Sequence, residues 1–442
     1  MTDLGLGLTL IALLFVLVIM GLHIAVALMS VAFVGVWLVR DNIDLAFNLM
    51  YIAAYNGISN YIFATIPLFV LMGLLVSISN VGRDTFDVAA SLLRRISGGL
   101  GIATVSANTV FAAVTGVSIA SAAVFTKVAV PEMARLGYNK AFAAGTVAGS
   151  SVLGMMIPPS LLLIVYGILA EVSIGHMFLA GVLPGLLLAV NFVIMILLLA
   201  RFAPNLVYNM AEKLKAAHGR EAERVMGLGE ICVKLVPILL LVALVLGGLY
   251  SGFFTPTEAG GVGAFGALVL ALARRSLNAS RAWQVLWETG SVAVGILILL
   301  IAASFYSRML AMVGMPAEIA MFVQDAGFGP YGFLLIYVII VLLLGMILDS
   351  TSILLIMTPI AVPIAQDFGF HLVHFGIITV IAVEIGLLTP PFGISIYTVK
   401  STLNDPNVSV ESIFVGVLPF VAIMLVTLIM VATFPLLTLA LI

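Results

Sequence analysis

The sequence predicts an all-α polytopic membrane protein, built as an inverted repeat with five crossings and one re-entrant hairpin in each half. Of its 442 residues, 63% are hydrophobic and only 9% are charged, whereas a soluble domain carries about 25% charged residues. Two long apolar runs are interrupted by adjacent prolines, at Pro158-Pro159 and at Pro390-Pro391. A continuous helix cannot pass through such a pair, because each proline lacks an N–H and clashes with the carbonyl four residues back.

The two proline pairs predict broken helices over 141–170 and 375–402. In lipid, unpaired backbone groups are tolerated only inside protein or beside a wet cavity. Two broken spans at corresponding places in two halves are typical of the central binding site of a secondary transporter.

The first half, 1–204, begins with an apolar run from Leu4 to Val39 that is too long for one crossing. As one helix it would measure about 54 Å, against a hydrocarbon core of roughly 30 Å, so we divide it near Gly21. The rest of this half is predicted, in order, as a crossing at 51–79, an amphipathic connector at 82–97, a hairpin at 99–125, a polar stretch at 127–140, the first broken span and a crossing at 177–200.

A polar segment at 205–234 is predicted to be a cytoplasmic linker that separates the halves. The second half, 235–442, is predicted to contain crossings at 235–253, 259–273 and 288–313, a connector at 316–329, a hairpin at 331–359, the second broken span and a last crossing at 413–442.

Prolines and glycines recur at one spacing in the two halves, which predicts an internal repeat. The matched pairs are Pro131 with Pro363, Gly137 with Gly369, and the two Pro-Pro pairs. Because five crossings are an odd number, the second copy is expected to be inverted. The distribution of Lys and Arg fits both termini outside, since loops 171–176, 314–330 and 366–374 contain neither residue.

The hairpin tips and the breaks are the candidate binding site. Helix N-termini and hydroxyl groups at the tips suit a carboxylate substrate, although small polar residues also serve close helix packing. The candidate substrate contacts are Ser106, Asn108, Ser118, Ser150, Pro159, Ser350, Ser352 and Pro391.

Carbonyls freed at the breaks are candidate ligands for Na⁺. They belong to Gly154, Met155 and Pro158 in the first break, and to Gly386, Leu387, Thr389 and Pro390 in the second. Two acidic residues lie at membrane depth in this region. Asp349 is expected to bind Na⁺ or to cap a helix, and Glu384 to contribute directly or to form a structural hydrogen bond.

Several motifs together resemble the large membrane subunit (M subunit, DctM-like) of tripartite ATP-independent periplasmic (TRAP) transporters. They are Phe254-Thr-Pro-Thr-Glu-Ala259, Ile157-Pro-Pro-Ser160, Leu388-Thr-Pro-Pro391, the Gly-Val-Leu-Pro sequences ending at Pro184 and Pro419, and His374-Phe-Gly376. The resemblance covers essentially the whole chain.

The resemblance implies an elevator-type ion-transporter-like fold in the bacterial inner membrane, in which both hairpins and both broken spans move against a scaffold of the other crossings. It implies Na⁺ coupling, an organic acid such as a dicarboxylate or a sialic acid, a periplasmic solute-binding protein, and a separate small membrane subunit of about four helices. The Na⁺ ligands it implies are Thr115, Gly116, Ser118, Gly154, Pro158, Asp349, Ser350, Thr351, Gly386 and Thr389.

Other classes of function remain as alternatives. The nearest is a stand-alone Na⁺- or H⁺-coupled anion carrier of related fold that needs no binding protein. A membrane scaffold without transport activity would have no reason to repeat the hairpin and the break. No motif for a metalloprotease, a P-loop ATPase or a serine hydrolase is present in the sequence, so we expect neither an enzyme nor a nucleic-acid-binding protein.

Overall fold

A computed structural model describes residues 3–209 and 226–442, and these residues form helices and no β-strand. The only β-type pairing in these ranges is an isolated bridge between Tyr138 and Tyr208. The predicted all-α class is therefore confirmed. Residues 210–225 of the predicted linker lie outside the described part of the chain.

Twelve helices are described in residues 3–209, and the last of them lies at the start of the predicted linker. They are α1 (Asp3–Ile19), α2 (Ile24–Arg40), α3 (Ile43–Ser59), α4 (Thr65–Ile78), α5 (Val81–Leu93), α6 (Gly99–Thr115), α7 (Ser118–Arg135), α8 (Lys140–Ser151), α9 (Leu153–Met156), α10 (Leu161–Leu169), α11 (Ile174–Phe202) and α12 (Pro204–Val207). A short 3₁₀ helix, Tyr61–Ala64, precedes α4.

Ten helices are described in residues 226–442, and the first of them begins inside the predicted linker. They are α13 (Leu228–Tyr250), α14 (Pro256–Ala273), α15 (Ala279–Val313), α16 (Met315–Asp325), α17 (Pro330–Gly345), α18 (Ser350–Asp367), α19 (Leu372–Gly386), α20 (Ile394–Leu403), α21 (Val410–Thr433) and α22 (Leu436–Leu439).

The described helices are those of a multi-pass membrane protein. Seven are long and apolar enough to cross a bilayer, and nine spans result if each of two bent pairs counts as one. The division of the first apolar run near Gly21 is also found, since α1 ends at Ile19 and α2 begins at Ile24.

The crossing predicted at 51–79 is shorter than expected, since the segment that can cross a bilayer is Tyr61–Ile78. The helix α3 begins earlier, at Ile43, and ends at Ser59, and Asn60 caps the following 3₁₀ turn by accepting a hydrogen bond from the amide of Ile62. Asn side chains compete for backbone amides in this way and so favour helix ends. The resulting α4 starts at Thr65, which places Pro67 in its first turn, where proline is tolerated.

The first hairpin consists of α6 and α7, and its two arms lie antiparallel. The hydroxyl of Thr104 donates to the sulfur of Met133 at 3.7 Å, and the rings of Phe111 and Phe125 are 5.5 Å apart. A straight helix would separate Thr104 from Met133 by about 43 Å. The second arm runs to Arg135, beyond the predicted end at 125.

The second hairpin consists of α17 and α18. Phe333, near the start of the first arm, stacks on Phe368, just after the second arm, with ring centroids 5.4 Å apart. The second arm continues through Pro359 and Pro363 to Asp367, so the predicted end at 359 is too early.

Both predicted broken spans are interrupted at the proline pairs. The first broken span (α8, α9 and α10) bends by 43° between Met156 and Leu161. The second broken span (α19 and α20) has no helix between Gly386 and Ile394. Both Pro-Pro peptide bonds are cis.

The helix bounds recur at the spacing of the sequence repeat. The second arms of the two hairpins, Ser118–Arg135 and Ser350–Asp367, are both 18 residues long, and each is followed by a glycine with positive φ, Gly137 or Gly369.

Several contacts join segments that are distant in the sequence near the ends of the helices. At one end, Lys234 pairs with Asp87 at 2.9 Å, and Lys140 pairs with Asp405 at 2.6 Å. Tyr166 lies beyond the first break, on the side of the first broken span away from Lys140. Its hydroxyl donates a hydrogen bond to the carbonyl of Leu372 at 2.8 Å. The open end of the first hairpin, its base, thus lies near the start of the first broken span at Lys140. The base of the second hairpin lies near the end of the first broken span at Leu169.

Most helices pack in two groups, which also contact each other where α15 and α16 meet α18 and where α4 meets α6. The helix α5 packs mainly on α6. One group contains α1–α4 and α13–α16, and the other contains both hairpins, both broken spans, α11, α21 and α22. The helix after each break packs on the hairpin of the other half: α10 on α18, and α20 on α7. The crossing α21 packs mainly on the broken spans, and α11 packs on the broken spans, on α6 and on α21, which differs from the scaffold position that the resemblance implies.

Candidate functional site

The tip of the first hairpin lies directly against the first break. The amide of Leu161 donates to the carbonyl of Gly116 at 3.2 Å. Gly116 has φ +63°, and a Cβ there would lie 2.5 Å from the carbonyl oxygen of Pro159, so only glycine fits this approach. A Cβ on Gly154 would lie 3.4 Å from the Cα of Ser118. The structure thus brings the predicted residues of the first site together.

A cavity of about 10 Å³ lies at this contact, which is about the volume that one water molecule requires. It is lined by Thr115, Gly116, Val117, Pro159 and Leu161, with Phe69, Val70 and Met72 of α4. The hydroxyl of Thr115 donates to the carbonyl of Phe111 at 2.9 Å. Its oxygen therefore keeps acceptor capacity for a cation.

One carbonyl of the first break already has a partner. The hydroxyl of Ser160 donates to the carbonyl of Met155 at 2.5 Å and accepts from the amide of Leu163 at 3.3 Å. Ser160 therefore closes the break and caps α10. This role of Ser160 was not predicted, although a serine directly before an apolar run is a helix-start signal.

At the second tip, Asp349 caps α18. Its carboxylate accepts from the amide of Ser352 at 3.2 Å and from the hydroxyl of Ser352. Of the two roles expected for Asp349, the helix cap is the one that these contacts describe. The predicted ligands Ser350 and Thr351 form the first turn after this cap.

The second hairpin meets the second broken span at two glycines. A Cβ on Gly345 would lie 2.6 Å from the Cα of Gly386, and the reverse distance is also 2.6 Å. The hydroxyl of Thr389 donates to the carbonyl of Gly386 at 2.7 Å. Gly345 was not among the predicted site residues, because its importance arises from a contact between distant segments.

The two breaks differ in exposure. Pro158 and Pro159 are buried, whereas Pro390 and Pro391 are exposed. Phe392, which follows the second pair, is 55% exposed. The first break is therefore covered by protein, and the second opens to the surface of this chain.

Two predicted substrate contacts, Asn108 and Ser150, form a buried hydrogen-bond network. The amide of Asn108 donates to the hydroxyl of Ser150 at 2.5 Å and accepts from the hydroxyl of Ser121 at 2.5 Å. Ser150 donates in turn to the carbonyl of Thr146 at 2.6 Å. These groups tie both arms of the first hairpin to the first broken span.

The other predicted substrate contacts lie in different surroundings. Ser118 and Ser350 are buried at the first residue of α7 and α18, and Ser106 is half-buried on α6. The amide and hydroxyl of Ser352 both donate to Asp349.

Glu384 is fully buried two residues before Gly386. Neither of its carboxylate oxygens has a hydrogen-bond partner in the part of the chain that the structure describes. The structural hydrogen bond considered for it is therefore not observed among these residues.

The oxygen atoms available at the tips and breaks belong to backbone carbonyls, hydroxyl groups and the carboxylate of Asp349. Within residues 3–209 and 226–442, no group of three or more His, Cys, Asp or Glu residues could hold a metal ion. The oxygens at the tips and breaks are hard ligands, which suit hard cations rather than transition metals.

The chain matches the family described as "Tripartite ATP-independent periplasmic transporter, DctM component" over residues 11–437. It is 35% identical over 398 residues to the C4-dicarboxylate TRAP transporter large permease protein DctM of Pseudomonas aeruginosa, covering 88% of each chain. It is 30% identical to the sialic acid TRAP transporter large permease protein SiaM of Vibrio cholerae, covering 87% of each. Its fold is similar to that of the Alcanivorax borkumensis YdaH transporter, with a TM-score of 0.60, 14% identity and coverage of 89% of each chain.

Proposed function

Because the chain belongs to the DctM family of tripartite ATP-independent periplasmic transporters, we propose that it is the large permease subunit for Na⁺-coupled uptake of a small organic acid. The family supports secondary transport of organic acids together with a binding protein. The observation that carries the proposal for this chain is the contact of each hairpin with a broken span, at Gly116 with Pro159 and at Gly345 with Gly386.

Na⁺ would bind beside each tip. At the first tip, the small cavity, the hydroxyl of Thr115 and the adjoining backbone support a site with Gly116, Ser118, Gly154 and Pro158. At the second tip, Asp349, Ser350, Thr351, Gly386 and Thr389 supply carboxylate, hydroxyl and carbonyl oxygens. Each net charge carried inward gains about 2.3 kcal/mol per 100 mV, so two or more Na⁺ per monoanion, or three or more per dianion, would let the membrane potential drive accumulation.

An elevator motion is supported by the division of the helices into two groups. The group with both hairpins and both broken spans would move as the transport domain, and α11 and α21 would move with it, because they pack on the broken spans. The group with α1–α4 and α13–α16 would form the scaffold. The opposed hairpin bases support an inverted repeat.

Large subunits of this family work with a small membrane subunit and a periplasmic binding protein, and some relatives are fusions. We place this chain in the bacterial inner membrane with both termini in the periplasm, as the distribution of Lys and Arg indicates. The names of relatives specify C4-dicarboxylates, sialic acid and 2,3-diketo-L-gulonate. A C4-dicarboxylate is the first substrate to test, because the relative that is 35% identical to this chain is named as a C4-dicarboxylate transporter.

The test is uptake of radiolabelled succinate, sialic acid and 2,3-diketo-L-gulonate into proteoliposomes that contain this chain and its small subunit. The cognate binding protein is added outside, with or without an inward Na⁺ gradient. We expect one acid to accumulate only when both the binding protein and the gradient are present. Undiminished uptake without the gradient would refute Na⁺ coupling, and undiminished uptake without the binding protein would favour the stand-alone carrier.

A further inference from the structure

A cleft of about 590 Å³, lined by both polar and apolar residues, lies between the two groups of helices at the predicted periplasmic end. One wall is formed by the end of α3 and by α15, and the other by the end of the first broken span with Pro359 of the second hairpin. Asn56, Asn60, Ser304 and Ser307 supply polar groups to its lining. The volume is in the range of small-molecule sites.

Arg308 places a positive charge in this cleft, which we call the outer cleft. It is half-buried, five residues before the end of α15, and it makes no ion pair with any described residue. A charged side chain within a spanning helix normally faces protein or a water-filled cavity. Glu171 is the other charged residue of the lining, and it does not lie within ion-pair distance of Arg308.

A second cleft, of about 640 Å³, lies at the predicted cytoplasmic end and is called the inner cleft. It separates α4 and α5 from α7, and Arg83 and Lys127 contribute to its lining. Its two acids are engaged elsewhere: Asp87 pairs with Lys234 at 2.9 Å, and Glu132 pairs with Arg135 at 2.6 Å. Arg83 and Lys127 have no ion pair among the described residues, so the inner cleft presents uncompensated positive charge.

The two clefts share one pair of equivalent positions in the repeat. Lys127 in the inner cleft and Pro359 in the outer cleft stand at the repeat spacing, both on the second arm of a hairpin. Each cleft therefore lies between the proposed scaffold and one hairpin. The two clefts lie at opposite ends of the predicted membrane-spanning helices.

We propose that the two clefts bind the transported carboxylate before and after it occupies the tips, with Arg308 at the entrance and Arg83 and Lys127 at the exit. The proposal rests on the proposed function and adds sites to it. A cleft with one sign of charge and low-dielectric walls raises the local concentration of an ion of opposite charge. Glu171, on the wall across from Arg308, would disfavour prolonged retention of the anion.

The entrance is tested with radiolabelled succinate and increasing concentrations of succinate-loaded binding protein outside proteoliposomes. Binding protein added only outside selects molecules whose periplasmic end faces outward. For Arg308→Gln we expect the maximal uptake rate to fall roughly tenfold at low ionic strength, with an unchanged half-saturating concentration of binding protein. Arg308→Lys should restore most of the rate. Arg40→Gln, which removes an exposed charge from the end of α2 at the same end, is the matched control.

The exit is tested by trans-inhibition, in which succinate inside the vesicles slows uptake by rebinding. Arg83→Gln combined with Lys127→Gln should weaken this inhibition several-fold, whereas Arg308→Gln should leave it unchanged. Arg201→Gln, an exposed charge at the same predicted end, is the control.

Two results would overturn the proposal while leaving the proposed function intact. A raised half-saturating concentration of binding protein with an unchanged maximal rate would make Arg308 a docking contact. Variants of either cleft that behave like their controls would show that the clefts do not bind the anion. If the wild-type protein takes up no acid at all, the proposed function falls and this proposal falls with it.

Discussion

The side-chain amide nitrogen of Asn108 lies 2.5 Å from the hydroxyl oxygen of Ser150 and so joins the first hairpin to the first broken span. The same side chain accepts a hydrogen bond from Ser121 on the other arm. This fully buried network gives the polar residues of the first hairpin a structural role that can be separated experimentally from substrate binding.

Replacing Asn108 with Ala should lower the stability of the protein. The change leaves the buried hydroxyls of Ser121 and Ser150 with one partner fewer, and an unsatisfied buried polar group costs about 1–3 kcal/mol. Thermal unfolding in detergent, followed by circular dichroism, measures the loss. Thr433→Ala, at an exposed hydroxyl on the last turn of α21, is the control. Unchanged stability with abolished uptake would instead assign Asn108 to the substrate.

Replacing Gly345 with Ala should disturb the contact between the second hairpin and the second broken span. The new Cβ would lie 2.6 Å from the Cα of Gly386, and overpacking of this kind costs about 1–3 kcal/mol. We expect lower thermal stability and slower uptake. Gly295→Ala, on α15 with no atom within 4 Å of the added Cβ, should be neutral; equal effects of the two changes would argue against the contact.

Removing the hydroxyl of Thr115 should weaken the proposed Na⁺ site at the first tip. Thr115→Val keeps the shape of the side chain but deletes the oxygen beside the small cavity. We expect the Na⁺ concentration for half-maximal uptake to rise about tenfold, which corresponds to about 1.4 kcal/mol, with little change in thermal stability without Na⁺. Thr433→Val serves as the control, and an unaltered Na⁺ dependence would exclude Thr115 as a ligand.

The charged cluster at the predicted cytoplasmic end should be sensitive to loss of Asp84. This carboxylate pairs with Arg274, and Lys234 lies 3.7 Å away. The partners are largely buried, so Asp84→Asn should cost roughly 1–3 kcal/mol, between the values for exposed and buried pairs. Glu132→Gln breaks the more exposed pair with Arg135 and should cost less than about 1 kcal/mol. Equal unfolding temperatures for the two variants would contradict this prediction.

The pair between Lys140 and Asp405 should contribute a pH-dependent term. The hydrogen bond from Lys140 lowers the pKa of Asp405 below its ordinary value of about 3.8. A carboxylate with a lowered folded-state pKa stabilises the protein above its unfolded-state pKa and loses that contribution as the pH falls through the lowered value. The difference in unfolding temperature between wild type and Asp405→Asn should be constant near neutral pH and shrink below about pH 4. A difference that grows on acidification would be contrary to this expectation.

Local sequence chemistry predicts the breaks and the tips well. The pairs at Pro158 and Pro390 cannot continue a helix, so their effect does not depend on distant contacts. The positive φ of Gly116 likewise agrees with its predicted place at a hairpin tip. Such features are read from a few adjacent residues.

The features that the sequence did not predict depend on packing between distant segments. The second arms of the hairpins continue through Pro131, Pro359 and Pro363, because surrounding helices tolerate a proline that would end an isolated helix. The close approach of Gly345 to Gly386 and the enclosure of Asn108 involve residues far apart in sequence. A single sequence contains no periodic signal for such contacts.

The helix after each break packs on the hairpin of the other half, and this packing constrains the order in which the protein assembles. Because α20 packs on α7, and α10 on α18, the first half leaves the ribosome before the surface that covers its hairpin has been synthesised. Until the C-terminal helices are inserted, the small and polar side chains of α7 lack these packing partners. During this time they contact lipid, water or the insertion machinery. The covering of each hairpin by the other half is therefore a late step of biogenesis, completed only after the second half has been inserted.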